Sequence, residues 1–310
     1  MSKGDSSRRR AMAVAWSVAA LVYAIGLWLV ARSAGGSVVE PLFVLAVMGL
    51  LMPLLAWATT RGVAPVDTVV DAAHASRNGW VALAYLLGFA VLVLGFGLTA
   101  LNNAVPDGRA HEWAVLGLKL ATMVLLPVWL LSHGGARRWW SMPGPRTQSH
   151  WRTLLIMGLA LLAFQAVFGR GLSQLQALAP SITTLMWAIP ACFVWQCLEA
   201  GLNEEVLFRV FAQQRLADWM GAPLAAVPLA ALAFGLAHAP GLYLRGAHLL
   251  EGVAEPTVTW AIGYSITVVA PAGVLFGVLW ARTRSLPLLV VLHGLTDTLP
   301  QLPGFIRTWG

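Results

Sequence analysis

Charge is what this chain has least of. Only 11% of its 310 residues are Asp, Glu, Lys or Arg, against 58% hydrophobic residues and a mean hydropathy of +0.73. A soluble globular domain carries roughly 25% charged residues, so the shortfall excludes that class and points to an integral membrane protein. Cysteine is scarcer still. Cys192 and Cys197 are the only two, and their spacing puts them on different faces of a helix, which excludes a disulfide framework and a thiolate metal site. They read as buried thiols. There is no internal repeat, no low-complexity linker and no His-Glu-x-x-His helix signature. The balance of +7, with a pI near 10.2, comes from Lys and Arg scattered between apolar runs, without a basic stripe or interleaved aromatics. No nucleic-acid partner is expected.

What the chain has instead is apolar runs, and about 20 such residues cross a bilayer as a helix. Candidate spans are Ala11–Ala31, Pro41–Thr60, Trp80–Leu101, Trp113–Leu131, Leu154–Phe168, Ile182–Glu199, Pro223–His238, Thr257–Trp280 and Leu286 to Leu302. The fold class expected is therefore all-α, a polytopic transmembrane bundle of eight to nine segments. Trp80, Trp113, Trp139, Trp140 and Trp151 flank spans, where indole rings favour the headgroup region. The uncharged run after Lys3 and Arg8-Arg9-Arg10 is too long for a signal-peptide core, so it reads as a retained first helix. With that N-terminus in the cytoplasm, Arg61, Arg77, Arg137, Arg138, Arg146, Arg152, Arg209, Arg215, Arg282 and Arg284 also fall inside. Only Arg32, Arg109, Arg170, Arg245 and Arg307 fall outside, and Lys119 lies within a span. This asymmetry favours a cytoplasmic N-terminus. Later spans look short, or interrupted as by Pro300, and irregular helices at membrane depth have to be lined by protein. The site is expected in the second half, giving residues 1–150 as accessory transmembrane helices and 151–310 as the catalytic domain.

The polar residues of that half are few. Glu204 and Glu205 are adjacent, with Arg209 four positions after Glu205. At the α-helical period Glu205 and Arg209 share a face and pair, while Glu204 points about 100° away. A charged side chain at the bilayer centre costs roughly 2.5 to 3.5 kcal/mol, so two adjacent acids imply chemistry or transport. Phe234 precedes His238 by one turn, and His293 precedes Asp297 by one turn. Each bland reading has weight: a lone buried His is usually a satisfied hydrogen-bonding residue, and Phe234 is packing or orientation. Jointly, two imidazoles, a spare carboxyl and a His–Asp turn exceed what packing needs.

Glu204-Glu205-x-x-x-Arg209, Phe234-x-x-x-His238 and His293-x-x-x-Asp297, in that order on successive membrane segments, resemble the CAAX protease and bacteriocin-processing family, intramembrane endopeptidases related to the type II CAAX prenyl endopeptidases. The resemblance covers about Leu185 to Pro303. It implies peptide hydrolysis at membrane depth, with Glu204 as the base that activates water, His238 assisting, and His293 and Asp297 lining the oxyanion position. Glu205 with Arg209 then holds the motif helix. A carboxyl kept from water holds a proton more readily, which suits a general base at neutral pH.

Position 297 departs from the many relatives that have Asn there. A carboxylate donates no hydrogen bond to an oxyanion unless protonated. Asp297 therefore orients an imidazolium, keeps a proton, or ligates a cation. Glu204, His238 and His293 are candidate ligands of a catalytic zinc, a set of two imidazoles and a carboxylate with an open position. Without the zincin signature the residues do not establish a metal. The expected partners are membrane lipids and a peptide or protein substrate with a membrane-embedded or lipid-modified segment, and the expected location is a bacterial plasma membrane. The rival readings are a proton- or cation-coupled transporter, which predicts repeats and paired broken helices, and a non-catalytic adaptor of the same fold.

Overall fold

A computed structural model describes residues 3–33, 36–62, 72–133, 150–249 and 256–310. Trp139, Trp140, Arg137, Arg138 and Arg146 lie outside the described residues. Within them the protein is all-helical: α1 (Lys3–Arg32), α2 (Val39–Thr59), α3 (Gly79–Ala104), α4 (Arg109–Leu130), α5 (Trp151–Phe168), α6 (Gly171–Leu178), α7 (Ile182–Met220), α8 (Pro223–Leu249), α9 (Val258–Thr283) and α10 (Leu286–Trp309). Eight helices among the described residues are long and apolar enough to cross a membrane. The protein is an integral membrane protein.

Helix ends follow local chemistry. Ser181, Thr257 and Ser285 cap α7, α9 and α10, each hydroxyl accepting from the backbone N–H three residues on. Gly221, at φ 62°, ends α7 in the left-handed conformation that glycine adopts without strain.

Three expectations about the second half are corrected. α7 does not stop at Glu199 but continues to Met220, and α8 does not stop at His238 but continues to Leu249. α10 runs through Pro300 and Pro303 to Trp309. A proline removes one N–H without ending a membrane helix that neighbouring helices enclose. The Leu299 carbonyl, which Pro303 deprives of its helical donor, lies against the bare face of Gly171 on α6.

The described residues form two compact units. The first contains α1 to α3 and the segment Phe208–Thr283. Its centre is α8 against α9, where Gly273 and Gly277, four apart, face Ala231 and Val227, also four apart. Small residues let membrane helices approach closely enough for dispersion and backbone contacts to hold them. The second unit contains Val105–Leu207 and Arg284–Gly310. Here α10 packs on α7 through Ala188, Cys192, Leu302 and Ile306, with Leu175, Leu178, Leu185 and Phe305 around them. Cys192 is buried and Cys197 partly so, and both thiols are free.

Glycine sets the spacing in this unit too. A Cβ on Gly201 of α7 would sit 2.7 Å from the Val290 carbonyl oxygen, and one on Gly294 of α10 would meet Cys197. The Val290 carbonyl belongs to the helix backbone and cannot swing aside. Gly201→Ala therefore forces α7 and α10 apart, at an overpacking cost of about 1 to 3 kcal/mol. A lowered thermal unfolding midpoint in detergent, accompanied by lost activity, is the expected result.

Candidate active site

Where the two adjacent acids lie, α7 is wider than an α-helix. Residues Cys197–Leu202 and Glu205–Gln213 are π-helical, and such turns recur at functional sites because they re-aim side chains and release carbonyls. Asn203, fully buried, closes the wide turn from within: its amide donates to the carbonyls of Leu198 at 2.9 Å and Glu199 at 3.0 Å. The acids follow directly.

Opposite them, the close approach at Gly201 and Gly294 brings His293 and Asp297 of α10 against α7. His293 Nδ1 is 2.8 Å from Glu205 Oε1. Its Nε2 is 3.6 Å from Glu204 Oε2 and 3.4 Å from Asp297 Oδ2. An ionised carboxylate only accepts, so the Nδ1–H donates to Glu205 and Nε2 is directed at the other two carboxyls. The side chain of Glu205 is 0% exposed, that of Glu204 13% and that of Asp297 30%. Glu205 is thus sealed in, and Glu204 is the member of the adjacent pair that a small molecule can reach.

Both acids facing one imidazole corrects the expectation that Glu204 points elsewhere. A wide turn reduces the rotation between successive residues, and His293 offers a nitrogen to each carboxyl. The one-turn spacing of His293 and Asp297 does bring their side chains together, as expected.

Residues 185–299 match the family model of the Rce1-like type II CAAX prenyl endopeptidases. This segment is an Rce1-like CAAX endopeptidase domain. It contains Glu204, Glu205, Arg209, Phe234, His238, His293 and Asp297, and the family is one of peptidases. No match to the chain is found among curated proteins or among solved structures.

Glu204, Glu205, His293 and Asp297 of the Rce1-like domain come together within the second unit. Its other motif residues are gathered in the first. There the buried Arg209 guanidinium lies 5.1 Å from the Phe234 ring centroid and 6.0 Å from that of Phe276, within reach of their π faces. Phe234 packs edge-on against Phe208, with centroids 5.1 Å apart, and tilted on His238, at 4.9 Å. His238 Nδ1 is 2.7 Å from the Phe234 carbonyl oxygen, which only accepts. The Nδ1–H therefore donates to this carbonyl.

Two further ionisable residues stand close to the acids of the second unit and are missing from the motif reading. Lys119 of α4 pairs with Glu199 of α7. The one sequence signal for Lys119 is a single cation inside an otherwise apolar run. Glu199 gives none, because its partner is 80 positions away. Among the described residues no group of three or more His, Cys, Asp or Glu side chains is arranged to hold a metal ion.

Proposed function

We propose that this protein is an intramembrane endopeptidase that hydrolyses a peptide bond with water activated by Glu204. The observation that carries the reading is the placing of one imidazole among three carboxyls, Nδ1 on Glu205 and Nε2 toward Glu204 and Asp297. Such an arrangement separates the duties of two adjacent acids. Glu205, enclosed and accepting from His293, fixes the ring. Glu204, less enclosed, takes a proton from water as oxygen attacks the scissile carbonyl, and returns it to the leaving amine. His293, with Asp297 in its protonated form, stabilises the oxyanion formed between those events. His238 assists the proton transfers, a role carried by the family likeness.

The substrate is a peptide or protein with a membrane-embedded or lipid-modified segment, because a site on apolar helices is reached most readily from the bilayer. His293 lies seven residues into α10, roughly 10 Å from the helix start at about 1.5 Å per residue. With the N-terminus in the cytoplasm of a bacterial cell, that start faces the cytoplasm, and the cavity opens there. Residues 1–150 serve as accessory helices to the catalytic half.

The test is Glu204→Gln, compared with the parent by quantitative mass spectrometry of membrane peptides. Specific products vanish while the protein accumulates normally. Unchanged products together with an altered ion flux would instead select the transporter.

Asp297 gives a finer test. Asn at this position always carries an N–H to donate toward an oxyanion, whereas Asp donates only when protonated. Asp297→Asn is expected to keep turnover equal to or above that of the parent, measured as initial rate on the same peptide. A collapse of the rate would mean that the negative charge itself is required.

A further inference from the structure

Lys119 is the cation that the motif reading leaves without a task. It sits on the packed stripe of α4, three residues after Leu116 and four before Met123, both buried. Only 17% of the most apolar window of this span is buried within the protein. A lysine at this depth is costly, so its retention implies a requirement for its charge. Its ammonium pairs with the Glu199 carboxylate, and the two side chains are only 15% and 16% exposed. Glu199 belongs to the π-helical turn before the acids, and its own carbonyl accepts from the Asn203 amide at 3.0 Å. Asn203 directly precedes Glu204. A continuous set of contacts thus runs from Lys119 through Glu199 and Asn203 to the proposed base. The Lys119 ammonium also interacts electrostatically with Glu204 and Asp297. It is a positive charge beside a cluster that otherwise holds four carboxyls and one imidazole.

We propose that Lys119 is a positioning residue: paired with Glu199, it fixes the wide turn that aims the Glu204 carboxyl, so that the Rce1-like domain depends for turnover on a helix outside residues 185–299. The inference rests on the peptidase reading above. It deepens that reading by giving α4 a chemical part in it. α4 is also anchored near its start, where Trp113 meets Trp195 and Trp309 at centroid distances of 5.1 and 6.0 Å and Arg109 donates to the Thr308 and Trp309 carbonyls, and along its packed stripe by the buried Leu116 and Met123. Loss of Lys119 therefore leaves α4 docked and releases the turn.

The experiment uses the full-length protein in membranes. Its probe is a peptide whose cleavage is lost in Glu204→Gln. Lys119→Met and Glu199→Gln are each expected to lower kcat about 10- to 100-fold with KM unchanged, the scale of a small misplacement of a reacting group. Lys119→Arg restores most of the rate. The double variant Lys119→Met/Glu199→Gln is no slower than either single one, because residues acting as a unit are not additive. It also leaves no unpaired charge in the bilayer, so it supplies the measurement if a single variant fails to accumulate. Alkylation of Cys197, which lies on the same turn, is followed beside that of Cys192 as internal reference, and speeds up selectively in Lys119→Met. Parental kcat in the double variant, a change in KM alone, or independent additive losses would overturn the proposal. If cleavage of every peptide survives Glu204→Gln, the peptidase reading fails first. An unaltered Cys197 alkylation rate then overturns the role of Lys119 in the turn as well.

Discussion

Glu204→Gln abolishes cleavage without reducing the amount of protein in the membrane. Gln has nearly the shape of Glu and keeps a carbonyl oxygen toward His293 Nε2, so packing on α7 is preserved. What is lost is a carboxylate able to take a proton from water. General-base catalysis contributes about 10²- to 10⁴-fold, and the drop in kcat is expected in that range, with KM little changed since ground-state contacts survive. The assay is single-peptide turnover with the purified protein in lipid. The neighbour supplies the contrast: Glu205 is wholly enclosed and committed to the His293 Nδ1–H, so it cannot substitute as the base. Turnover within a fewfold of the parent in Glu204→Gln would remove hydrolysis by this carboxyl from the account.

His293 separates folding from chemistry. In His293→Leu, Glu205 loses the donor 2.8 Å away while remaining sealed from solvent. Removing one member of a buried charged pair costs about 3 to 5 kcal/mol, a large part of a typical folding free energy of roughly 5 to 15 kcal/mol. The expected result is poor accumulation and a lowered thermal midpoint in detergent. His293→Gln retains an N–H for Glu205 and is expected to fold nearly normally, yet to lose turnover, because an amide nitrogen neither takes up a proton nor becomes cationic beside Glu204 and Asp297. A stable His293→Leu protein, or an active His293→Gln one, would each contradict the geometry on which the proposed mechanism stands.

The spans and the site differ in how far they can be read from the chain. Apolar length is a local property, so α1 to α5, α7, α8 and α9 are visible as runs that water excludes. The one-turn spacings Phe234 to His238 and His293 to Asp297 are local as well. They survive in the fold as a 4.9 Å ring contact and a 3.4 Å approach of His293 Nε2 to Asp297 Oδ2. Pro300 misleads because sequence rules for proline describe a helix in water, whereas α10 is enclosed by its neighbours. Glu204 misleads because rotation at the α-helical period does not hold across the π-helical stretches Cys197–Leu202 and Glu205–Gln213 that flank it.

The amino-acid order alone determined that this protein lives in a membrane as a helical bundle, and which few side chains are too polar to be there for packing. Tertiary structure alone decided that Glu204 and Glu205 meet the same imidazole, that α7 and α10 touch where Gly201 and Gly294 leave room, and that Lys119 finds Glu199 across 80 positions of chain. The physical reason is range. Hydrophobicity and helical spacing act within a turn or two, while the partner of a charge in a low dielectric is set by whichever helix the fold brings beside it.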